Sequence, residues 1–357
     1  MGSQDPNISF KAALLETHGY SLVQPDCPVK LNQNECPFDV PEALKREILD
    51  ETLSRNWGRY PDFVPTDVKE KLARHHGVMP ESVLIGNGSN ELIQATFMST
   101  VGPGRGVVIA VPTFSLYALM NTVLEGDLRQ VPMREDLSFD TESLISAARS
   151  PDVKLTVLCS PNNPTGSLIS LTDVAAIAEA ASGLVIVDEA YFEFGGQTSL
   201  GLLADHSNMI ITRTFSKALG AAGLRIGYLV AHPDVAKEIE KVKLPYNVNM
   251  FSLIATRRLL DEGALVDERV SLIRSERDRV TARLAELPGV TPYTSSANFV
   301  LFRIEQSVEA TFQGLITQGV LIRDVSHYPL LDQCLRVTIG TPSENDTFLQ
   351  ALNDVIG

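Results

Sequence analysis

The sequence predicts an α/β protein: a mostly parallel central sheet with helices on both faces, and a smaller α+β region. Three observations lead there. Short, nearly continuous apolar runs (VVIAV from Val107, LTVLC from Leu155, VIVD from Val185) alternate with segments of helical periodicity. Strands buried on both faces read this way, and helical crossovers keep them parallel. Each run then stops at a polar, Gly- or Pro-bearing cluster. Finally, the pattern changes near the C-terminus, where strands at 298–304, 321–323 and 335–339 precede a helix at 342–356.

The elements follow in order. Residues 7 to 50 read as an arm and a segment of the smaller domain, with a hydrogen-bonding turn at Leu31–Phe38 (LNQNECPF) and a helix from Pro41 to Leu53. Leu44, Ile48 and Leu49 make its apolar face, and Pro41 suits a helix start. The loop Arg59-Tyr60-Pro61-Asp62 precedes a helix at 65–76 and a short strand at 83–85. That strand enters Gly86-Asn87-Gly88-Ser89-Asn90-Glu91 and a helix at 91–98, for which Ser89 or Asn90 is the expected cap. A strand, a Gly-rich turn and a helix N-terminus together suit an anion site, although a plain tight turn fits this stretch at least as well. No third glycine follows, so the dinucleotide fingerprint fails. Strands are expected at 107–111, 154–158, 184–187, 209–212 and 226–231. Helices are expected at 115–124, 141–148, 172–181, 251–260 and 267–287. The division is 1–50 (arm and part of the small domain), 51–260 (large domain) and 261–357 (C-terminal small domain).

Composition narrows the function. The 357 residues are 44% hydrophobic and 21% charged, an ordinary globular balance. The net charge of −14 argues against a nucleic-acid surface, which needs clustered Lys and Arg. There is no apolar run of about 18 residues to cross a membrane. Cys27, Cys36, Cys159 and Cys334 form no CxxC pair, and the six histidines form no HExxH, so no metal is assigned and a cytoplasmic protein is expected.

One lysine stands apart. Met209–Tyr228 (MIITRTFSKALGAAGLRIGY) places Lys217 among small and apolar residues, with Thr214 and Ser216 before it and Arg225 eight residues after. Such surroundings favour the free amine, the form that attacks carbonyls, although a solvated turn lysine fits this stretch equally well. The wider pattern decides between them. Gly86–Asn90, Phe114, Asn163, Asp188–Tyr191 and Thr214–Lys217 each follow the carboxyl end of a strand, and in an open α/β sheet those ends share one edge. An amine beside a phosphate cradle, a carboxylate and an aromatic suits pyridoxal 5′-phosphate (PLP) held as a Schiff base.

The motifs LNQNECP, RYPD, GNGSNE, PTF, PNNPTG, DEAY, TFSKALGAAGLRIGY, PYNVN and LRVTIGT run in order from Leu31 to Thr341. As a set they resemble the fold-type I PLP aminotransferases, and within them the histidinol-phosphate aminotransferase family. The resemblance implies that Lys217 is the Schiff-base lysine and proton shuttle. Asp188 would pair with the ring nitrogen, Asn163 and Tyr191 would bind the phenolic oxygen, and Phe114 would stack on the ring. Ser89, Asn90, Thr214, Ser216 and Arg225 would hold the phosphate, with Tyr60 reaching it across a homodimer interface. Arg336, Arg323, Tyr20 and Asn34 would line the substrate end. The implied reaction is ping-pong transamination between histidinol phosphate and 2-oxoglutarate, with glutamate as the donor in the biosynthetic direction. Aromatic amino-acid aminotransferases and threonine-phosphate decarboxylases share much of this pattern. A PLP-binding regulator would add a DNA-binding extension, for which this acidic chain has no room. The chain departs from the pattern at Cys36, where many members have Asn, at Asn90, where many have Asp, and in its short arm.

Overall fold

The structure is a computed structural model and describes residues 10–17 and 25–357. Seven strands form the large sheet, in the spatial order Val83–Gly86, Gly227–Ala231, Met209–Thr214, Leu184–Asp188, Val153–Cys159, Gly106–Val111, Asp127–Pro132. All run parallel except Gly227–Ala231, which is antiparallel to both neighbours. This is the expected mostly parallel, helix-covered sheet.

Successive side chains on a strand point to opposite faces, and both faces are buried. Val107, Ile109, Ile186 and Ile210 pack in one core with Leu92, Ile93 and Phe97 of the helix Ser89–Thr100. Val108, Ala110, Val185, Val187 and Ile211 pack in the other, with Leu144, Val174 and Ile177. The covering helices Thr141–Ala148 and Leu171–Ala180 are capped by Asp140 and Ser170, which accept from the Ser143 and Asp173 amides.

The smaller sheet is antiparallel, ordered Arg323–Asp324, Cys334–Thr338, Phe299–Ile304, Val290–Pro292. Val29–Lys30 pairs in parallel with Val320–Leu321, which ties the start of the chain to this region. The helix Glu42–Leu53 instead seats Leu44 and Ile48 against Val83, Ile85 and Tyr228 beside the large sheet.

Several expectations are corrected. Leu49 is 49% exposed, because one residue past Ile48 it has rotated off the buried stripe. The N-cap of Ser89–Thr100 is Gly88, with no side-chain cap, so Ser89 and Asn90 are the first helical residues. The strand Asp127–Pro132 has no counterpart in the sequence pattern. It pairs with one neighbour only and is half exposed, so its residues DLRQVP carry no apolar run. The helices Pro233–Glu240 and Val308–Thr317 are likewise additions to the elements expected from the sequence. The first starts at a proline, in the N1 position that proline tolerates, and His232 caps it. Among the described residues no helix is long and apolar enough to cross a membrane, and no group of three or more His, Cys, Asp or Glu could hold a metal.

Candidate active site

A cavity of about 290 Å³ lies at the carboxyl edge of the large sheet and is closed over by residues of the smaller one. Strand register explains its phosphate end. Thr214, the last residue of its strand, pairs with Gly227, the first of the antiparallel strand, and Gly227 pairs in turn with Gly86. Three segments distant in sequence therefore meet at one point. Arg225, two residues before Gly227, returns to the place where Thr214 and Ser216 end up. The Thr214 hydroxyl donates to Ser216 Oγ at 2.9 Å, and Arg225 Nη1 donates to the same oxygen at 3.3 Å. The uncapped helix start at Ser89 and Asn90 completes the lining.

Two glycines make that approach possible. A Cβ on Gly88 (φ +82°) would fall 2.5 Å from the Arg225 guanidinium, and one on Gly227 would fall 2.1 Å from the Ser89 amide nitrogen. Arg225 itself sits at φ 53°, a left-handed conformation uncommon for any residue with a Cβ. Backbone strain, donors and a helix N-terminus thus converge on a concavity shaped for an anion.

Lys217 lies beside this cradle. Its amine donates to the Gln33 carbonyl at 2.9 Å and stands 5.7 Å from the centre of the Tyr191 ring. Burial, followed by the positive charge of Arg336, lowers its pKa from 10.5 to about 7. The free amine expected from the sequence is therefore well populated at neutral pH.

Asp188 ends the strand next to Met209–Thr214, the one that leads to Lys217, and is 3% exposed. Burial pushes its carboxyl above the ordinary value, opposed first by the Tyr117 hydroxyl, which donates to Oδ2 at 2.6 Å. The Ala190 amide donates to Oδ1 at 3.2 Å. Phe114 lines the cavity and meets the Tyr117 ring edge-on. Behind Asp188, the buried pair Glu189–Arg213 ties the same two strand ends together at 2.9 Å, and the Arg213 guanidinium covers the Phe192 ring.

On the opposite wall, Asn34 is 2% exposed and its amide donates to the Tyr191 hydroxyl at 2.9 Å. Asn163 Oδ1 accepts from Arg336, which orients the amide group, and Arg336 Nη2 donates to the Asn32 carbonyl at 2.8 Å. Arg323 and Arg336 are direct cross-strand partners, and both line the cavity.

Thirteen of the fifteen residues singled out in the sequence line this cavity: Ser89, Asn90, Phe114, Asn163, Asp188, Tyr191, Thr214, Ser216, Lys217, Arg225, Asn34, Arg323 and Arg336. Tyr60 does not. It is 80% exposed and stacks on Tyr246 at 4.6 Å, outside its own chain's cavity. Tyr20 lies outside the described residues. Sequence reasoning missed Tyr117, Gln33 and Tyr328. Tyr117 follows PTF by only three residues, so its place on the same segment was the available signal.

Comparisons with known proteins agree with this geometry. The family model "Aminotransferase class I and II" matches residues 27–352. A histidinol-phosphate aminotransferase of Chlorobaculum tepidum is 43% identical over 92% of this chain and 94% of its own. The structure of histidinol-phosphate aminotransferase from Sinorhizobium meliloti in complex with pyridoxal-5′-phosphate superposes with a TM-score of 0.88 at 27% identity, covering 99% of this chain and 98% of that one. L-threonine-O-3-phosphate decarboxylase from Porphyromonas gingivalis, at 23% identity and a TM-score of 0.80 over 92% of this chain and 99% of that one, shares the fold. With its crevice built on Lys217 and Asp188 and its match spanning nearly its full length, the chain belongs to the class I and II aminotransferases, and among them to the histidinol-phosphate aminotransferase family.

Proposed function

We propose that this chain is a PLP-dependent aminotransferase that interconverts histidinol phosphate and its keto counterpart, with glutamate and 2-oxoglutarate as the second pair. The observation that carries the substrate reading is the Arg323–Arg336 pair. They sit opposite each other on neighbouring strands and line the same cavity, so both bring positive charge to one wall of it. Two arginines suit a phosphate dianion, which can take two charge-assisted contacts, better than a single carboxylate needs.

The residues present fit PLP. At position 88 a Cβ would collide with the Arg225 guanidinium, so this end of the cavity presents backbone and guanidinium donors with no side chain between them. Ser89, Asn90, Thr214, Ser216 and Arg225 would hold that phosphate, and Asn163 and Tyr191 the phenolic oxygen. Phe114 would cover the ring and Asp188 would face its nitrogen. When bound, PLP supplies an electron sink for negative charge developing on the substrate's Cα. The chain's own residues do the rest. Lys217, with a pKa of about 7, is poised to attack a carbonyl, and as the free amine it takes the proton from the substrate's Cα. Asp188 holds positive charge at the ring nitrogen. Arg336, anchored by Asn163 and Asn32, receives the anionic end of either substrate.

Removing Arg323 tests the substrate assignment. Arg323→Ala should raise KM for histidinol phosphate by about 10- to 100-fold, the worth of one charge-assisted contact. The glutamate half-reaction should change by less than about threefold, since one arginine serves a single carboxylate. Steady-state assays with histidinol phosphate, phenylalanine and tyrosine as donors decide the matter. A preference for phenylalanine overturns the phosphate reading, and carbon dioxide release from threonine phosphate selects a decarboxylase.

The dimer is part of the same reading. Leu49, Leu53, Trp57, Phe63 and Leu244 are exposed in the same stretches as Tyr60 and Tyr246, an apolar surface that a second copy would cover. Tyr60 would then reach the phosphate of the neighbouring copy. Sedimentation should give about twice the 38.9 kDa chain mass, and Tyr60→Phe should weaken PLP retention several-fold. A monomer with full activity excludes this arrangement.

A further inference from the structure

We propose that Tyr117 is a positioning residue that locks Asp188 and Phe114 into one unit and thereby keeps the proton of the cofactor's ring nitrogen on that nitrogen. The proposal rests on the PLP reading above.

Tyr117 is the second residue of the helix Leu116–Leu124, shortly after the loop that carries Phe114, and it is 0% exposed. Its one side-chain polar atom donates to Asp188 Oδ2 at 2.6 Å, across 71 residues of sequence. Its ring meets the edge of Phe114 with centroids 5.7 Å apart at 89°, a favoured aromatic geometry. A single buried side chain therefore supports both groups that would touch the pyridine ring, its face and its nitrogen partner.

The donors to Asp188 come from within the protein. Oδ2 takes the Tyr117 hydroxyl and Oδ1 takes the Ala190 amide, which together fix the plane of the carboxylate, and the buried Thr212 hydroxyl lies beside it. The neighbouring Cys159 thiol directs its proton to the Pro161 carbonyl at 3.5 Å. The titratable groups around Asp188 are Tyr117, Cys159, Glu189 and Tyr191. Burial keeps the Tyr117 phenol well above its ordinary pKa and pushes the Cys159 thiol up to about 12, so both stay protonated at neutral pH. Tyr117 can thus act toward Asp188 only as a donor. Without it, Oδ2 loses its shortest donor, the buried Thr212 hydroxyl stays beside the carboxylate, and the under-solvated charge draws more strongly on the proton of the ring nitrogen.

Tyr117→Phe keeps the ring against Phe114 and deletes only the hydroxyl. Wild type and variant are loaded with PLP carrying nitrogen-15 in the ring, and the ring-nitrogen NMR shift is followed with pH. The variant should move the proton equilibrium from nitrogen toward Asp188 by about tenfold, the low end of what a hydrogen bond to a charged group is worth. kcat should fall by a similar factor, with KM for glutamate within about twofold. A cofactor analogue with carbon in place of the ring nitrogen should bind wild type and variant equally, which reports an intact site. On the Asp188→Asn background the same hydroxyl deletion should cost little more, because the charge it served is gone. An unchanged ring-nitrogen signal, an equal loss of affinity for the nitrogen-free analogue, or additive losses in the double variant would each overturn the proposal. Failure of wild type itself to take up PLP would overturn the functional reading instead.

Discussion

Lys217→Ala should abolish transamination. The lysine combines two roles, carbonyl nucleophile and base for the Cα proton, and the base role alone is worth about 10²- to 10⁴-fold in rate. Losing both should cost at least about 10⁴-fold in kcat, measured with saturating substrates and added PLP. A variant within about tenfold of wild type would sink the mechanism. The structure supplies the reason for the large effect. Burial and the nearby Arg336 charge bring the amine to about 7, so free amine is abundant at neutral pH, where an exposed lysine has almost none.

The same shift makes a stability prediction for the cofactor-free protein. The folded-state pKa is about 7 against 10.5 for an ordinary lysine. Between those values the unfolded chain binds more protons than the folded one, so this group makes stability rise with pH across that window. Its destabilisation is complete below pH 7 and fades by pH 10.5. Lys217→Met removes it. The variant should melt higher than cofactor-free wild type by the widest margin at or below pH 7, and the margin should close toward pH 10.5. Thermal melts across that range provide the measurement.

Asp188→Asn should carry the second-largest penalty. Asparagine keeps the size of the side chain and an oxygen for the Tyr117 hydroxyl, but it removes the charge opposite the ring nitrogen. Breaking a buried charge pair by neutralising one member costs about 3–5 kcal/mol. kcat should fall by about 150- to 5,000-fold, with KM for glutamate nearly unchanged, because the carboxylate end is held by Arg336. The neutral amide also relieves the cost of burying a carboxylate at this position, so the cofactor-free variant should be at least as stable as wild type. A variant that loses fold and activity together would make Asp188 a structural group, which circular dichroism beside the rate assay would reveal.

The legible and illegible parts of this molecule divide along physical lines. Strands buried on both faces announce themselves as apolar runs, so Val107–Val111, Leu155–Cys159 and Val185–Val187 could be read directly. The edge strand Asp127–Pro132 could not, since one face and one edge meet solvent. Arg225 could be linked to a phosphate from its distance to Lys217, but its conformation at φ 53° and the Gly88 and Gly227 clearances depend on strand pairing. Asn34 read as a turn residue or substrate ligand, whereas in the fold it donates to the Tyr191 hydroxyl. Tyr60 carried a role by resemblance, and within one chain it stays at the exterior.

Taken alone, the sequence determined the chemistry on offer. Residue type and position after a strand were enough to single out Lys217, Asp188, Asn163 and Tyr191, because the carboxyl ends of parallel strands share an edge, and Arg225 followed from its spacing to Lys217. Tertiary structure decided what each group can do there. The lowered amine of Lys217, the carboxylate of Asp188 held by Tyr117, and the cross-strand pairing of Arg323 with Arg336 all arise from burial or from cross-strand register. Those quantities depend on distances between residues far apart in the chain, and a linear pattern does not contain them.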